Sequence, residues 1–150
     1  MRIDVFGSNF DVTSASIVGQ RSENQDSAGW LAMTEKGIFG TDVDGNPIRE
    51  FVGATDEIVF CIVCDGMGGL DNGKAVSSRV VSDSLEWIRR SIFDTPKDLF
   101  IGYRDHLCDL EKSLMSDYPK SGTTAAILFG FHGQWFSMHV GDSRVYTLSG

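Results

Sequence analysis

Proline occurs only three times in 150 residues, and neither a low-complexity tract nor an internal repeat interrupts the chain. That composition argues against long disordered segments, because 41% of the residues are hydrophobic and 11% aromatic, enough to build a packed core. No stretch approaches the ~18 consecutive apolar residues of a membrane span. The opening Met1-Arg2-Ile3-Asp4-Val5-Phe6-Gly7 also lacks the apolar segment of a secretory leader. A cytoplasmic location without a membrane partner is expected. Cysteine is scarce and odd in number. Cys61, Cys64 and Cys108 lie in apolar contexts and read as reduced core thiols, not as a disulfide frame. Cys61 and Cys64 do form a C-x-x-C, but a strand of period two points them to opposite faces, which argues against joint zinc or redox chemistry. Clustered basic charge is missing as well. With 13 basic against 21 acidic residues, the chain carries −8 and has no footprint for a phosphate backbone, so nucleic acid is not an expected partner. An acidic surface of this kind attracts cations or basic peptide segments and also serves solubility.

What is present suffices for a single domain over residues 1–150, since a chain of this length hides roughly 68 to 70% of its unfolded surface. Residues Phe10 to Gly19, Ser27 to Met33 and Ile38-Phe39 are strand-prone. Asp42-Val43-Asp44-Gly45-Asn46-Pro47 reads as a hairpin tip before a short strand at Ile48 to Val52; Gly45 arrives too early for a calcium loop. After the run Ile58 to Cys64 the period changes. With Asp71 or Asn72 as N-cap, Val76, Val80, Val81, Leu85, Ile88 and Ile92 fall on one helical face. Thr95-Pro96 breaks that helix, and Asp98 opens a second with the stripe Leu99, Tyr103, Leu107, Leu110 and Leu114. Thr123 to Phe131, Trp135 to Val140 and Arg144 to Leu148 read as strands, with a turn at His132-Gly133. The fold class is α+β, helices layered over sheets. Trp135 to Leu148 includes a sheet edge whose unpaired backbone invites association.

The chemistry concentrates where ordered segments end in acids. The apolar run Ile58 to Cys64 stops at Asp65 and passes into Gly66-Met67-Gly68-Gly69, setting a rigidly held carboxylate on a backbone almost bare of side chains. Asn24-Gln25-Asp26 and Gly141-Asp142-Ser143-Arg144 make the same kind of break. Three carboxylates, Asp26, Asp65 and Asp142, are therefore candidates to converge on a hard divalent cation such as Mg2+ or Mn2+. Cys64 has no histidine near it in sequence that would make it a nucleophile. His106, His132 and His139 read as solvated or core-rim residues, Thr123 and Thr124 as sheet supports, and Arg144 as the partner of a nearby carboxylate.

Four segments in order, Gly19-Gln20-Arg21-Ser22-Glu23-Asn24-Gln25-Asp26, Val63-Cys64-Asp65-Gly66-Met67-Gly68-Gly69, Ser121-Gly122-Thr123-Thr124-Ala125 and Val140-Gly141-Asp142-Ser143-Arg144-Val145-Tyr146, resemble the motifs of the type 2C metal-dependent protein phosphatases. The resemblance runs from about residue 10 to the last residue. It implies a β-sandwich flanked by helix pairs, with two Mn2+ or Mg2+ ions at one end of the sheets. It implies hydrolysis of phosphoserine and phosphothreonine esters in a phosphorylated protein substrate by metal-activated water. By position, Asp65 would bridge both metals, Gly66 would offer its carbonyl to one, and Asp26 would hold metal-bound water. Arg21 would bind the substrate phosphate, a task for which a planar guanidinium suits. Asp142 matches a position associated with an additional, looser metal.

The chain also departs from that family. Gln25 stands where many members carry glutamate, giving one anion fewer, and is expected to reach the metal through water or its amide oxygen. Met67 stands where eukaryotic members have histidine, so protonation of the leaving group would fall to water. Two further aspartates of the family have no counterpart after Asp142. The chain thus reads as an incomplete N-terminal part with weak metal binding and little turnover alone. The alternative is a non-catalytic, phosphatase-like interaction or regulatory module.

Overall fold

Residues 1–20, 22–68 and 72–148 are described by the structure, a computed structural model. Nine strands and two helices follow in the order β1 (Arg2–Val5), β2 (Ser8–Asp11), β3 (Asp26–Thr34), β4 (Gly37–Thr41), β5 (Pro47–Glu50), β6 (Ile58–Met67), α1 (Asn72–Arg90), α2 (Pro96–Asp117), β7 (Gly122–Thr123), β8 (Ala125–Phe131) and β9 (Gln134–Val140). Seven strands form one sheet in the order β5-β4-β3-β6-β8-β9, with β7 beside the end of β6, and every pairing is antiparallel. Short connections produce this order. His132 and Gly133, both at positive φ, close the β8–β9 hairpin, and Asp42 Oδ1 accepts from the Asp44 and Asn46 amides at the β4–β5 tip.

Alternation along β6 assigns the two faces of the sheet. Ile58, Phe60, Ile62 and Cys64 point into the main core with Leu31, Met33, Ile127, Phe129 and Phe131, under α1 and α2. Ser84 of α1 receives a 2.8 Å hydrogen bond from Tyr103 of α2, and Trp87 meets both Tyr103 and His106. Val76 and Val80, early in α1, line one cavity with Leu110 and Leu114, late in α2, whereas Trp87, late in α1, meets Tyr103 in the first half of α2, so the helices run antiparallel. Thr95 caps α2 by accepting from the Asp98 amide, so the helix starts at Pro96, two residues before Asp98.

The other face is covered over only part of its length. The hairpin of β1 and β2 packs Ile3 and Val5 against Trp30, Ala32 and Val59, while Val63, farther along β6, is 51% exposed. Among the described residues this two-stranded hairpin stands where the resemblance implies a second full sheet. The α+β layering holds, and among the described residues there is no second full sheet of the kind the resemblance implies.

Other expectations need correction. Strand structure between Phe10 and Gly19 ends at Asp11. Arg144 to Leu148 form no strand: the chain turns at Gly141, and no described strand lies alongside to pair with them. Ile92 falls beyond the end of α1 and is exposed. Cys108 of α2 is exposed, whereas Cys64 is buried and Cys61 half-buried. His106 stacks on Trp87, and burial lowers its pKa.

Burial pushes the Cys61 thiol up to about 11 and the Cys64 thiol up to about 12, from an ordinary value of 9.0. The folded chain therefore keeps protons that the unfolded chain releases. The stability this contributes is complete below pH 9.0 and is lost as pH climbs toward 11 and 12. In native protein at mildly alkaline pH, Cys108 is expected to react with a thiol reagent while Cys61 and Cys64 react only after denaturant is added. Urea midpoints should fall above pH 9.0, less steeply in Cys64→Ala than in the parent chain.

Candidate functional site

β3 and β6 pair so that Asp26 lies directly opposite Asp65. Residues facing one another in antiparallel strands share a face, with Cβ atoms about 4.5–5.5 Å apart. Both carboxylates thus emerge at one end of the sheet, on the face away from the helices, and both residues are half-buried. Asn24 shapes the entry to β3: its Oδ1 accepts from the Asp26 amide at 3.0 Å and its Nδ2 donates to Ser16 Oγ at 2.7 Å.

The main chain of Asp65 is held from the opposite side as well. Its amide donates to Thr124 Oγ1 at 3.1 Å, and its carbonyl accepts from the Thr124 amide and Thr123 Oγ1, both at 2.9 Å. A side-chain hydroxyl thereby stands in for a strand carbonyl at the gap between β7 and β8. Thr124 Oγ1 also pairs with Ser143 Oγ at 2.6 Å, linking the Gly141-Asp142-Ser143 turn to Asp65 through two hydrogen bonds. Thr123 and Thr124 are sheet supports, as their sequence context suggests.

Close approach of three backbones completes the arrangement. Gly66 donates to the Gln25 carbonyl at 3.2 Å, and a Cβ at position 66 would overlap the carbonyl oxygens of Gly73 and Gln25. Only glycine lets β6 pass so near the start of α1. Ser77 Oγ donates to the same Gln25 carbonyl at 2.6 Å. From α1, Lys74 Nζ donates to the Asp26 carbonyl at 2.6 Å and to Ser27 Oγ at 3.1 Å, and Ser27 Oγ lies 2.9 Å from Ser77 Oγ. Lys74 and this serine group were not singled out from sequence. A lysine after a glycine is an ordinary helix residue, and its acceptor is 48 positions away.

Asp26, Asp65 and Gly66 are brought together. Asp142 is exposed and adjoins them through its neighbour Ser143. Arg21 and Gly69 lie outside the described residues, as does Asp71. Gln25 turns its amide nitrogen to Glu23 and to the Gly68 carbonyl, with its Oε1 against Gly73, so its side chain serves the loop–helix junction. Met67 is exposed. Arg144 is exposed and enters none of the ion pairs among the described residues, contrary to the expected carboxylate partner. His139 is exposed on β9, and His132 lies 3.0 Å from Asp56, far along the sheet from Asp65. Among the described residues no group of three or more His, Cys, Asp or Glu side chains is gathered closely enough to hold a metal by itself.

Thr124→Val keeps the side-chain volume but removes the acceptor of the Asp65 amide and the partner of Ser143. Since Thr124 is buried, a loss of about 1–3 kcal/mol is expected in urea unfolding. Amide exchange should accelerate at Asp65 and in the 141–144 turn before it does in α1. No protein-family model, curated protein or solved structure matches the chain.

Proposed function

We propose that the chain carries one side of a Mn2+- or Mg2+-dependent phosphatase site of the type 2C kind, acting on phosphoserine and phosphothreonine esters of a protein substrate. The observation that carries this reading is the meeting of four distant segments at one sheet end. Gln25 touches Gly66, Asp26 faces Asp65, Thr124 binds Asp65, and Ser143 binds Thr124. These are the segments whose sequences resemble the family's motifs.

The donors suit a hard divalent cation, being carboxylate, main-chain carbonyl and hydroxyl oxygens. Asp65, Asp26 and the Gly66 carbonyl would hold it, with Asp142 the nearest further acid along the chain. A bound cation supplies positive charge to the phosphoryl oxygens and acidifies water. The protein's own part is to fix the acidic pair: threonines brace Asp65 from one side, and Lys74 and Asn24 brace the Asp26 main chain from the other. Facing carboxylates repel a phosphate ester until a cation offsets them, so ester binding should depend on metal. Arg21 is assigned to the phosphate by its motif position.

Titrating the chain with Mn2+ and reading paramagnetic broadening of its amide signals tests this. Broadening should centre on residues 24–27 and 64–66, and Asp65→Asn should abolish it. Asp26→Asn should weaken it on the order of 10–100-fold. Hydrolysis of p-nitrophenyl phosphate should rise with Mn2+ and fall in the same variants. Broadening centred elsewhere, or equal in Asp65→Asn, would refute the assignment. A well-folded chain that binds a phosphopeptide without any Mn2+ response would favour an interaction module.

A further inference from the structure

We propose that Lys74 is the resident counterion of the facing acids: its ammonium, on the helix side of the sheet, offsets the Asp26 carboxylate across the strand and opposes any cation that binds there. The immediate surroundings of Lys74 supply no opposite charge. Lys74 stands in the first turn of α1, at the positive end of the helix dipole, and that turn contains no acid. It is half-buried and enters none of the ion pairs among the described residues. Its acceptors, the Asp26 carbonyl at 2.6 Å and Ser27 Oγ at 3.1 Å, are uncharged. Removing part of an ammonium's hydration is costly, and two neutral acceptors restore it only in part.

The remaining compensation comes from Asp26 itself. Its carboxylate leaves β3 on the face away from the helices, one strand's thickness from the ammonium bonded to its own carbonyl, and it too enters none of the ion pairs among the described residues. Screening between the two is weak. Ser27 is 3% exposed and Ser77 0%, and their hydroxyls lie 2.9 Å apart under α1, so little water surrounds the ammonium on this side. Asp65, directly opposite Asp26 on β6, adds charge of the same sign as Asp26.

The ammonium is also fixed in place. Ser27 Oγ is tied to Ser77 and Ser78, and Ser77 Oγ donates to the Gln25 carbonyl, so hydroxyls and main chain hold Lys74 at the junction of α1 and β3. A fixed charge here acts on the empty and the occupied site in opposite directions. It steadies two facing carboxylates when no ion is present, and it repels a divalent ion bound between them. Lys74 thus sets how much cation affinity the acids retain. The effect on a bound ion rests on the proposed metal site, whereas the coupling of Lys74 to Asp26 does not.

A double-mutant cycle on the metal-free chain, read by urea unfolding, tests that coupling. Lys74→Gln keeps an amide donor for the Asp26 carbonyl but removes the charge. It should lower the folding equilibrium constant on the order of fivefold in the parent chain and less than about twofold in an Asp26→Asn background. A lysine that only ties main chains together would lose equally in both, because Asp26→Asn leaves the carbonyl at position 26 unchanged, and that result overturns the proposal. If Lys74→Gln alone does not fold, recovery of the fold on adding Asp26→Asn supports the counterion and its failure overturns it. In the Mn2+ titration, Lys74→Gln should tighten binding by about threefold or more with the same amides broadened. Unchanged or weaker Mn2+ binding in Lys74→Gln also overturns the proposal. A parent chain with no Mn2+ response at residues 24–27 and 64–66 overturns the metal reading instead, and the cycle alone then decides on Lys74.

Discussion

Crowding of three backbones at Gly66 is the constraint from which the rest of the structure follows. The end of β6, the residue before β3 and the start of α1 approach until there is no room for a Cβ at position 66 or 73. Hydrogen bonds from Gly66 and Ser77 converge on one carbonyl, that of Gln25. Two glycines at this crossing cost conformational entropy. In return α1 begins directly against the sheet and continues across it, closely enough that a side chain at Gly29 would meet Leu85 and Val81. The buried stripe Val76, Val80, Val81, Leu85 and Ile88 is a consequence of that entry point. So is the alignment of Asp26 with Asp65, because the same contacts fix where β3 starts relative to where β6 ends.

From that crossing the face of the sheet away from the helices grades from wet to dry. Along β6 the residues facing away from the helices are Asp65, Val63, Cys61 and Val59, and exposure falls from half-buried or open at Asp65 and Val63 to 3% at Val59 under the N-terminal hairpin. A carboxylate at the dry end would bear a heavy desolvation cost. At the wet end Asp65 is only half-buried, and its main chain is locked by Thr123 and Thr124. A backbone held this way is ordered before any ligand arrives.

Sequence periodicity made the local elements legible and left the long-range ones unread. The apolar run of β6, the Asp42 to Pro47 tip, the His132-Gly133 turn and the stripes of both helices stand out because neighbours in sequence create them. β1 went unseen: in Arg2-Ile3-Asp4-Val5 only two apolar residues alternate, too few to mark a strand, although Ile3 and Val5 are buried. Ile92 continued the helical spacing past the point where the chain leaves the helix, and Arg144 to Leu148 had strand composition but no partner strand among the described residues. Acidic residues at strand ends identified Asp26 and Asp65 as candidates. Nothing in the sequence could set them opposite one another, because register is decided by pairing over 39 positions. Lys74 escaped for the same reason.

A facing acidic pair is also an energetic statement. Like charges directly opposite across strands destabilise a sheet. For unit charges about 4 Å apart the repulsion is about 1 kcal/mol in water and several times that where the surroundings are less polar. The fold brings the pair together with much of its local hydrogen bonding directed at holding both main chains, and with the Lys74 ammonium on the Asp26 carbonyl tempering the field on the helix side. Under the proposed function, a small multivalent cation would turn repulsion between the two carboxylates into shared attraction. A cation bound at the proposed site would therefore also stabilise the fold, by the linkage that favours any state its ligand prefers.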